Sequence, residues 1–151
     1  MIKLFVDTNV FLDTLDHGRT SDWHYSQDIL DLSGYRDLFQ ICISMKSIAD
    51  ISYVGGRMSG KEQIKTVLRV ILHECKVLPF EDIMLYEGLK MNCPDLEDAM
   101  QISCAGYGCC DYIITRDKKH YDNYSDIPVY SPKEFIEKLQ FTSKGAREDP
   151  F

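Results

Sequence analysis

The chain predicts an α/β fold: a three-layer α/β/α sandwich with a mainly parallel central sheet. Short, mostly apolar runs such as Ile2-Lys3-Leu4-Phe5-Val6 have the length of strands buried on both faces. Between them lie helix-length segments whose apolar residues recur at three- and four-residue spacing. Strands separated by helices pair in parallel, because a parallel connection needs a crossover of about that length. With 151 residues, the chain holds one domain with a proper core rather than two.

Residues 2–6 are the first strand. Val10, Phe11 and Leu12 mark a short helix, followed by a polar loop through Asp16-His17-Gly18-Arg19. Ser21 can cap a helix carrying Trp23, Tyr25, Ile29, Leu30 and Leu32, which Gly34 ends. The run 38–43 is a second strand with Ser44 at its end. Ile48, Ile51 and Val54 then continue at helical spacing to Gly55-Gly56. Over residues 60–75, Ile64, Val67, Leu68, Ile71 and Leu72 make an amphipathic helix. Val77-Leu78 is a short strand and 81–89 a helix. Pro94-Asp95 opens another helix through Leu96, Ala99, Ile102 and Ala105 to Gly106. Tyr112-Ile113-Ile114-Thr115 and Val129-Tyr130 are the last strands. Ser131-Pro132-Lys133-Glu134 combines a capping box with proline at the first helical position. The expected domain covers residues 1–141, and 142–151 form a polar, fraying tail.

A net charge of −7 argues against a simple basic nucleic-acid-binding surface. It does not exclude a nucleic-acid substrate, since a divalent cation reverses the field at a carboxylate cluster. No run reaches the ~18–20 apolar residues of a membrane span, and the N-terminus lacks a signal-peptide pattern. The six cysteines contain no C-x-x-C pair and read as reduced thiols of a cytoplasmic protein. Zinc held by Cys104, Cys109 and Cys110 is an alternative without paired-knuckle spacing. His17, His24, His73 and His120 show no ligand spacing, which argues against a catalytic histidine.

Four acids carry the chemistry. Asp7 follows the first strand, at the carboxyl edge of the sheet, where open α/β sheets bind ligands. Asp50, Asp98 and Asp117 recur where later strands and helices return to that edge. Each has a plainer explanation. Asp7 and Asp117 can cap helices, Asp50 can sit on a solvated helix face, and Asp98 can belong to a box capped by Asp95. Taken together they suggest a site for hard Mg²⁺ or Mn²⁺, both of which prefer oxygen ligands. Such an ion polarises phosphate and activates water, so the natural reaction is phosphodiester hydrolysis.

At these residues the chain resembles the PIN-domain nucleases, including the virulence-associated protein C toxins of bacterial toxin–antitoxin pairs. Phe5-Val6-Asp7-Thr8-Asn9-Val10 resembles the family's first motif, and Ile43-Ser44 with Asp50 the second. Asp95-Leu96-Glu97-Asp98-Ala99-Met100-Gln101 resembles the third, and Ile113-Ile114-Thr115-Arg116-Asp117 the fourth. The resemblance implies a metal-dependent endoribonuclease with Asp7, Asp50, Asp98 and Asp117 catalytic, and Asp7, Asp98 and Asp117 as metal ligands. Asn9, Ser44 and Thr115 would orient carboxylates or water behind them. The second acid is usually Glu in this family; Asp50 is one methylene shorter. Lys46, Arg57 and Arg116, near the motifs, are candidates for RNA phosphate contacts. The resemblance also implies a homodimer silenced by an antitoxin protein, with the amphipathic stretches 23–32 and 60–75 offering apolar anchors for it.

Rival functions fit less well. A haloacid-dehalogenase-type phosphatase wants an Asp two residues after the nucleophile, and Asn9 stands there. A receiver domain fits the acid and lysine pattern poorly. No G-x-G-x-x-G follows the first strand, which argues against a dinucleotide-binding fold. The remaining alternative is a PIN-like fold with a weakened metal site, used to bind protein or RNA.

Overall fold

The computed structural model describes residues 1–145. Five strands, β1 (Ile2–Val6), β2 (Phe39–Ser44), β3 (Lys76–Leu78), β4 (Tyr112–Ile114) and β5 (Val129–Tyr130), form one sheet in the order β3-β2-β1-β4-β5. Every pairing is parallel. The helices are α1 (Thr8–Leu15), α2 (Trp23–Asp31), α3 (Met45–Ser59), α4 (Lys61–Glu74), α5 (Asp82–Lys90), α6 (Leu96–Tyr107), α7 (Lys118–Asp122) and α8 (Pro132–Gly145). The expected α/β/α sandwich is the fold, and its sheet is wholly parallel.

Strand alternation divides the core. Leu4, Val6, Ile41, Ile43 and Ile114 pack on the face that also holds Val10, Phe11, Ile29, Ile51, Ile64 and Phe135. Phe5, Cys42 and Ile113, each one residue out of step, pack on the other face with Met84, Ile102, Ala105 and Tyr121. β1 is central and pairs on both sides, so Leu4, Phe5 and Val6 are fully buried. From β1 the chain winds outward through β2 to β3, then returns to the other side of β1 as β4. That reversal places a crevice at the carboxyl ends of β1 and β4.

Helix boundaries follow local chemistry. Ser131 and Glu134 form the expected reciprocal box at the start of α8: Ser131 N donates to Glu134 Oε2 at 2.9 Å, and Glu134 N to Ser131 Oγ at 3.1 Å. The helix then continues through Gly145, past the boundary expected at Phe141. Residues 146–151 of the expected tail lie outside the described residues. Gly55 and Gly56 do not end α3, which runs four-residue spacing through both to Ser59. A Cβ on Gly55 would meet Ile64 Cδ1 of α4 at 2.4 Å, so the glycine is there to let two helices approach. Gly60 makes the break instead: its φ of +91° turns the chain between α3 and α4.

None of the described helices is long and apolar enough to cross a membrane. All six cysteines are unpaired. The three sulfurs considered for zinc part company, because Cys104 and Cys110 are buried in the core and Cys109 is exposed.

The Gly60 turn gives a direct test. Gly60→Ala meets no side chain, so its whole cost is the extended, positive-φ backbone that essentially only glycine adopts, about 1–3 kcal/mol. Gly34→Ala, also in open space but without a positive φ, should stay within about 0.5 kcal/mol of the parent in urea unfolding.

Candidate functional site

The first residue after β1 is the centre of the crevice. Asp7 is only 8% exposed, and its carboxylate accepts three hydrogen bonds from three parts of the chain. Thr115 Oγ1, just past β4, donates to Oδ2 at 2.8 Å. Thr8 N donates to Oδ1 at 2.8 Å, so Asp7 also caps α1 as an ordinary N-cap would. Gln101 Nε2 of α6 reaches the same oxygen at 3.4 Å. Burial pushes the Asp7 carboxyl above its ordinary pKa, and these donors pull against that shift.

Behind Asp7 runs a buried polar chain. Ser44, fully buried at the end of β2, caps α3 through Ser47 N at 3.0 Å and donates to Gln101 Oε1 at 2.6 Å. Gln101 Nε2 and Thr8 Oγ1 both reach Ser47 Oγ, at 2.9 and 2.7 Å. The ends of β1 and β2, the starts of α1 and α3 and the second turn of α6 are thus joined by side chains that also orient Asp7.

The four acids named from the sequence line one depression of about 350 Å³. Asp98 is the third residue of α6, whose cap is Asp95: Asp95 Oδ1 accepts from Glu97 N at 2.9 Å and Asp98 N at 3.2 Å. The Asp98 carboxylate itself faces the crevice and His120 Nδ1, at 3.7 Å. Its pKa is pushed up to about 6 by burial, with the charges of Asp95 and Asp7 adding to the rise. Asp117 heads α7 without making a side-chain cap; its Oδ2 accepts from Asn9 Nδ2 at 3.1 Å. Thr115 Oγ1 accepts from Asp117 N at 3.0 Å, so one threonine positions both acids.

Asp50 sits across the depression on α3, where Lys46 bridges it to Glu97 of α6. Burial lowers the Lys46 pKa, but hydrogen bonds and charge from both carboxylates outweigh it and leave the ammonium above its ordinary value. The other cations suggested from the sequence are placed differently. Arg57 is exposed, lies over the Tyr53 ring at 5.6 Å and does not line the depression. Arg116 turns toward the fully buried Asp13 of α1, with Nε 2.6 Å from Oδ2 in an ion pair that lacks hydrogen-bond alignment. Arg19 and Ser26 also meet Asp13, at 3.3 and 3.1 Å.

Glu97, Gln101 and Ser47 belong to the site and were not singled out from the sequence. Gln101 had a signal, since it lies three residues after Asp98 on the same helix face. Tyr121 had none. Its buried phenol faces Asp7 from α7, and burial, then the charges of Asp7 and Asp98, raise its pKa.

No three carboxylate, thiol or imidazole groups among the described residues converge as a ready-made metal cage. The donor set is nevertheless carboxylate oxygen, and Asp7 adds to the rise of the Asp98 pKa, as facing acids do without a cation between them. Those two fit Mg²⁺ or Mn²⁺, an ion that keeps several of its waters and needs few protein ligands.

The acids thus gather at the β1–β4 switch point, backed by Thr115, Asn9 and Ser44. The chain belongs to the PIN-domain family: the PIN domain profile matches residues 3–119. A comparison with curated protein sequences gave no match. Among solved structures, VapBC2 of Rickettsia felis bound to a promoter DNA fragment is similar at a TM-score of 0.65 and 14% identity, over 86% of this chain and 98% of that one. DNA-bound VapBC of Salmonella typhimurium matches at 0.66 and 15%, over 87% and 99%. The sarcin–ricin-loop-cleaving toxin VapC20 of Mycobacterium tuberculosis matches at 0.61 and 10%, over 83% and 98%. At these identities the likeness is one of fold.

Two measurements probe this arrangement. The folded Asp98 binds its proton more tightly than an unfolded Asp, so its contribution to stability falls as pH rises from about 4 to about 6. Without divalent ions, Asp98→Asn should therefore raise the melting temperature at pH 7.5, and the gain should vanish near pH 3.5. Asp13→Ala leaves Arg116 and Arg19 without their carboxylate and should cost about 3 kcal/mol in chemical denaturation.

Proposed function

We propose that this protein is a divalent-metal-dependent endoribonuclease, and that it is the toxin of a toxin–antitoxin pair. The observation that carries the reading is the buried Asp7 carboxylate, held by Thr115 and Gln101 and facing Asp98 across the crevice. A buried acid without a strong cationic partner is costly in a merely structural role. Asp7 and Asp98, with Asp117, would hold Mg²⁺ or Mn²⁺; when bound, the ion neutralises phosphate charge and activates water. The chain's own residues set the geometry. Thr115 and Thr8 fix the Asp7 oxygens, Asn9 fixes Asp117, and Lys46 restrains Asp50 and Glu97.

A protein antitoxin is the proposed partner, a role supported by the VapBC complexes among the structures of similar fold. The amphipathic helices α2 and α4 line, with α1, an apolar groove of about 340 Å³ that contains Leu30, Val67, Val70 and Ile71. It shares no residue with the acidic depression. A homodimer in the cytoplasm completes this reading. The Lys46 bridge favours one second reading, a PIN fold with a weakened metal site that binds RNA or protein without cutting.

The two separate cleanly. The parent should cut a single-stranded RNA pool in Mn²⁺, stop in EDTA, and bind Mn²⁺ by calorimetry. Asp7→Asn should lower the cleavage rate at least a hundredfold while remaining folded by circular dichroism at the assay temperature. Cleavage by Asp7→Asn at the parent rate, or no Mn²⁺ binding at millimolar concentration, would defeat the nuclease assignment.

A further inference from the structure

We infer that α7 and the loop before α6 form a subsite for one nucleotide unit of a single-stranded RNA, next to the acidic crevice. This deepens the nuclease reading and rests on it. The subsite is a depression of about 380 Å³ lined by Cys93, Pro94, Asp95, Asp98, Lys119, His120 and Tyr124. Asp98 lines both this depression and the crevice, so the two adjoin at that residue. A strand seated in the depression would pass its neighbouring phosphate by Asp98.

The charge pattern identifies the ligand. The protein carries a net charge of −7, and its crevice gathers Asp7, Asp50, Glu97, Asp98 and Asp117. A polyanion reaches such a place only where a local cation offsets the field. Most nearby cations are already engaged. Lys46 bridges Asp50 and Glu97, Arg116 pairs with Asp13, and Lys118 lies 3.2 Å from Glu134. Lys119 is exposed and has no carboxylate within ion-pair distance among the described residues. Its ammonium is therefore available to a phosphate. His120, exposed beside Asp98, adds a second nitrogen donor on the same wall.

The rest of the lining suits a base. Pro94 and the half-buried Tyr124 supply a mostly apolar wall, and Tyr124 is anchored where α7 meets the core. An aromatic ring beside a cation is how proteins hold unstacked bases, with little regard to sequence. The volume suits one nucleotide rather than a helix, and a base inside a duplex has no free face to offer. The two carboxylates, Asp95 and Asp98, keep the phosphate toward Lys119. Asp95 is already committed to capping α6.

The test is equilibrium binding of a fluorescein-labelled, random single-stranded RNA dodecamer by the full chain in EDTA, with probe integrity checked on a gel. Lys119→Glu should weaken binding about tenfold and lower the salt slope by about one to two. Tyr124→Leu should weaken it about tenfold, while Tyr124→Phe, which keeps the ring, should bind as the parent does. Circular dichroism checks that each variant is folded. If Lys119→Glu and Tyr124→Leu fold and bind as the parent, the subsite is refuted, whether or not the protein cuts RNA in Mn²⁺. It is equally refuted if the parent prefers duplex RNA or binds no RNA. Loss of metal-dependent cleavage with the binding pattern intact would instead tell against the nuclease reading alone.

Discussion

Much of this molecule is arranged around one buried carboxylate. Asp7 sits where the sheet reverses its winding, and its two oxygens are claimed by residues from three separate stretches of chain. Leaving any of those donors unpaired would cost more than the bond itself is worth. The ends of β1 and β4, the first turn of α1 and the second turn of α6 are therefore held in one mutual geometry. The flanking Ser44, Ser47 and Gln101 network extends the same constraint to β2 and α3. Packing of the two apolar faces provides most of the stability, but this polar junction sets how their upper edges meet.

The fold was readable because its signals are local. Apolar runs of five or six residues, helical spacing and capping residues each lie within one segment, and β1 is apolar on both faces because helices cover the sheet on both sides. The glycine pair at 55 and 56 misled because its role is not local. A glycine that ends a helix and one that admits a neighbouring helix look alike in sequence, and only the position of Ile64 separates them. Gly60, four residues on, carries the actual turn.

At the site, Asp7, Asp98 and Asp117 were legible from their places after strands and at a helix start, and Asp50 from its place inside a helical pattern; the four line a common depression. Their partners were less so. Arg116 adjoins an acidic motif and looks like a phosphate contact, yet Asp13, more than a hundred residues earlier, draws it inward. Lys46 is likewise spoken for by a residue on its own helix and another on α6. Charge partners of this kind depend on how the layers stack, which no window of sequence contains. The same stacking brings His120 to Asp98, although no spacing in the sequence marks it as a functional histidine.

The Lys46 bridge has a mechanical consequence. Lys46 and Asp50 stand four residues apart on α3, whereas Glu97 belongs to α6. The two helices lie on opposite faces of the sheet, with Ile51 in one apolar layer and Ile102 in the other. One ammonium therefore clasps the two outer layers over the carboxyl edge of the sheet. Without it, two carboxylates would face each other across that edge and push the layers apart.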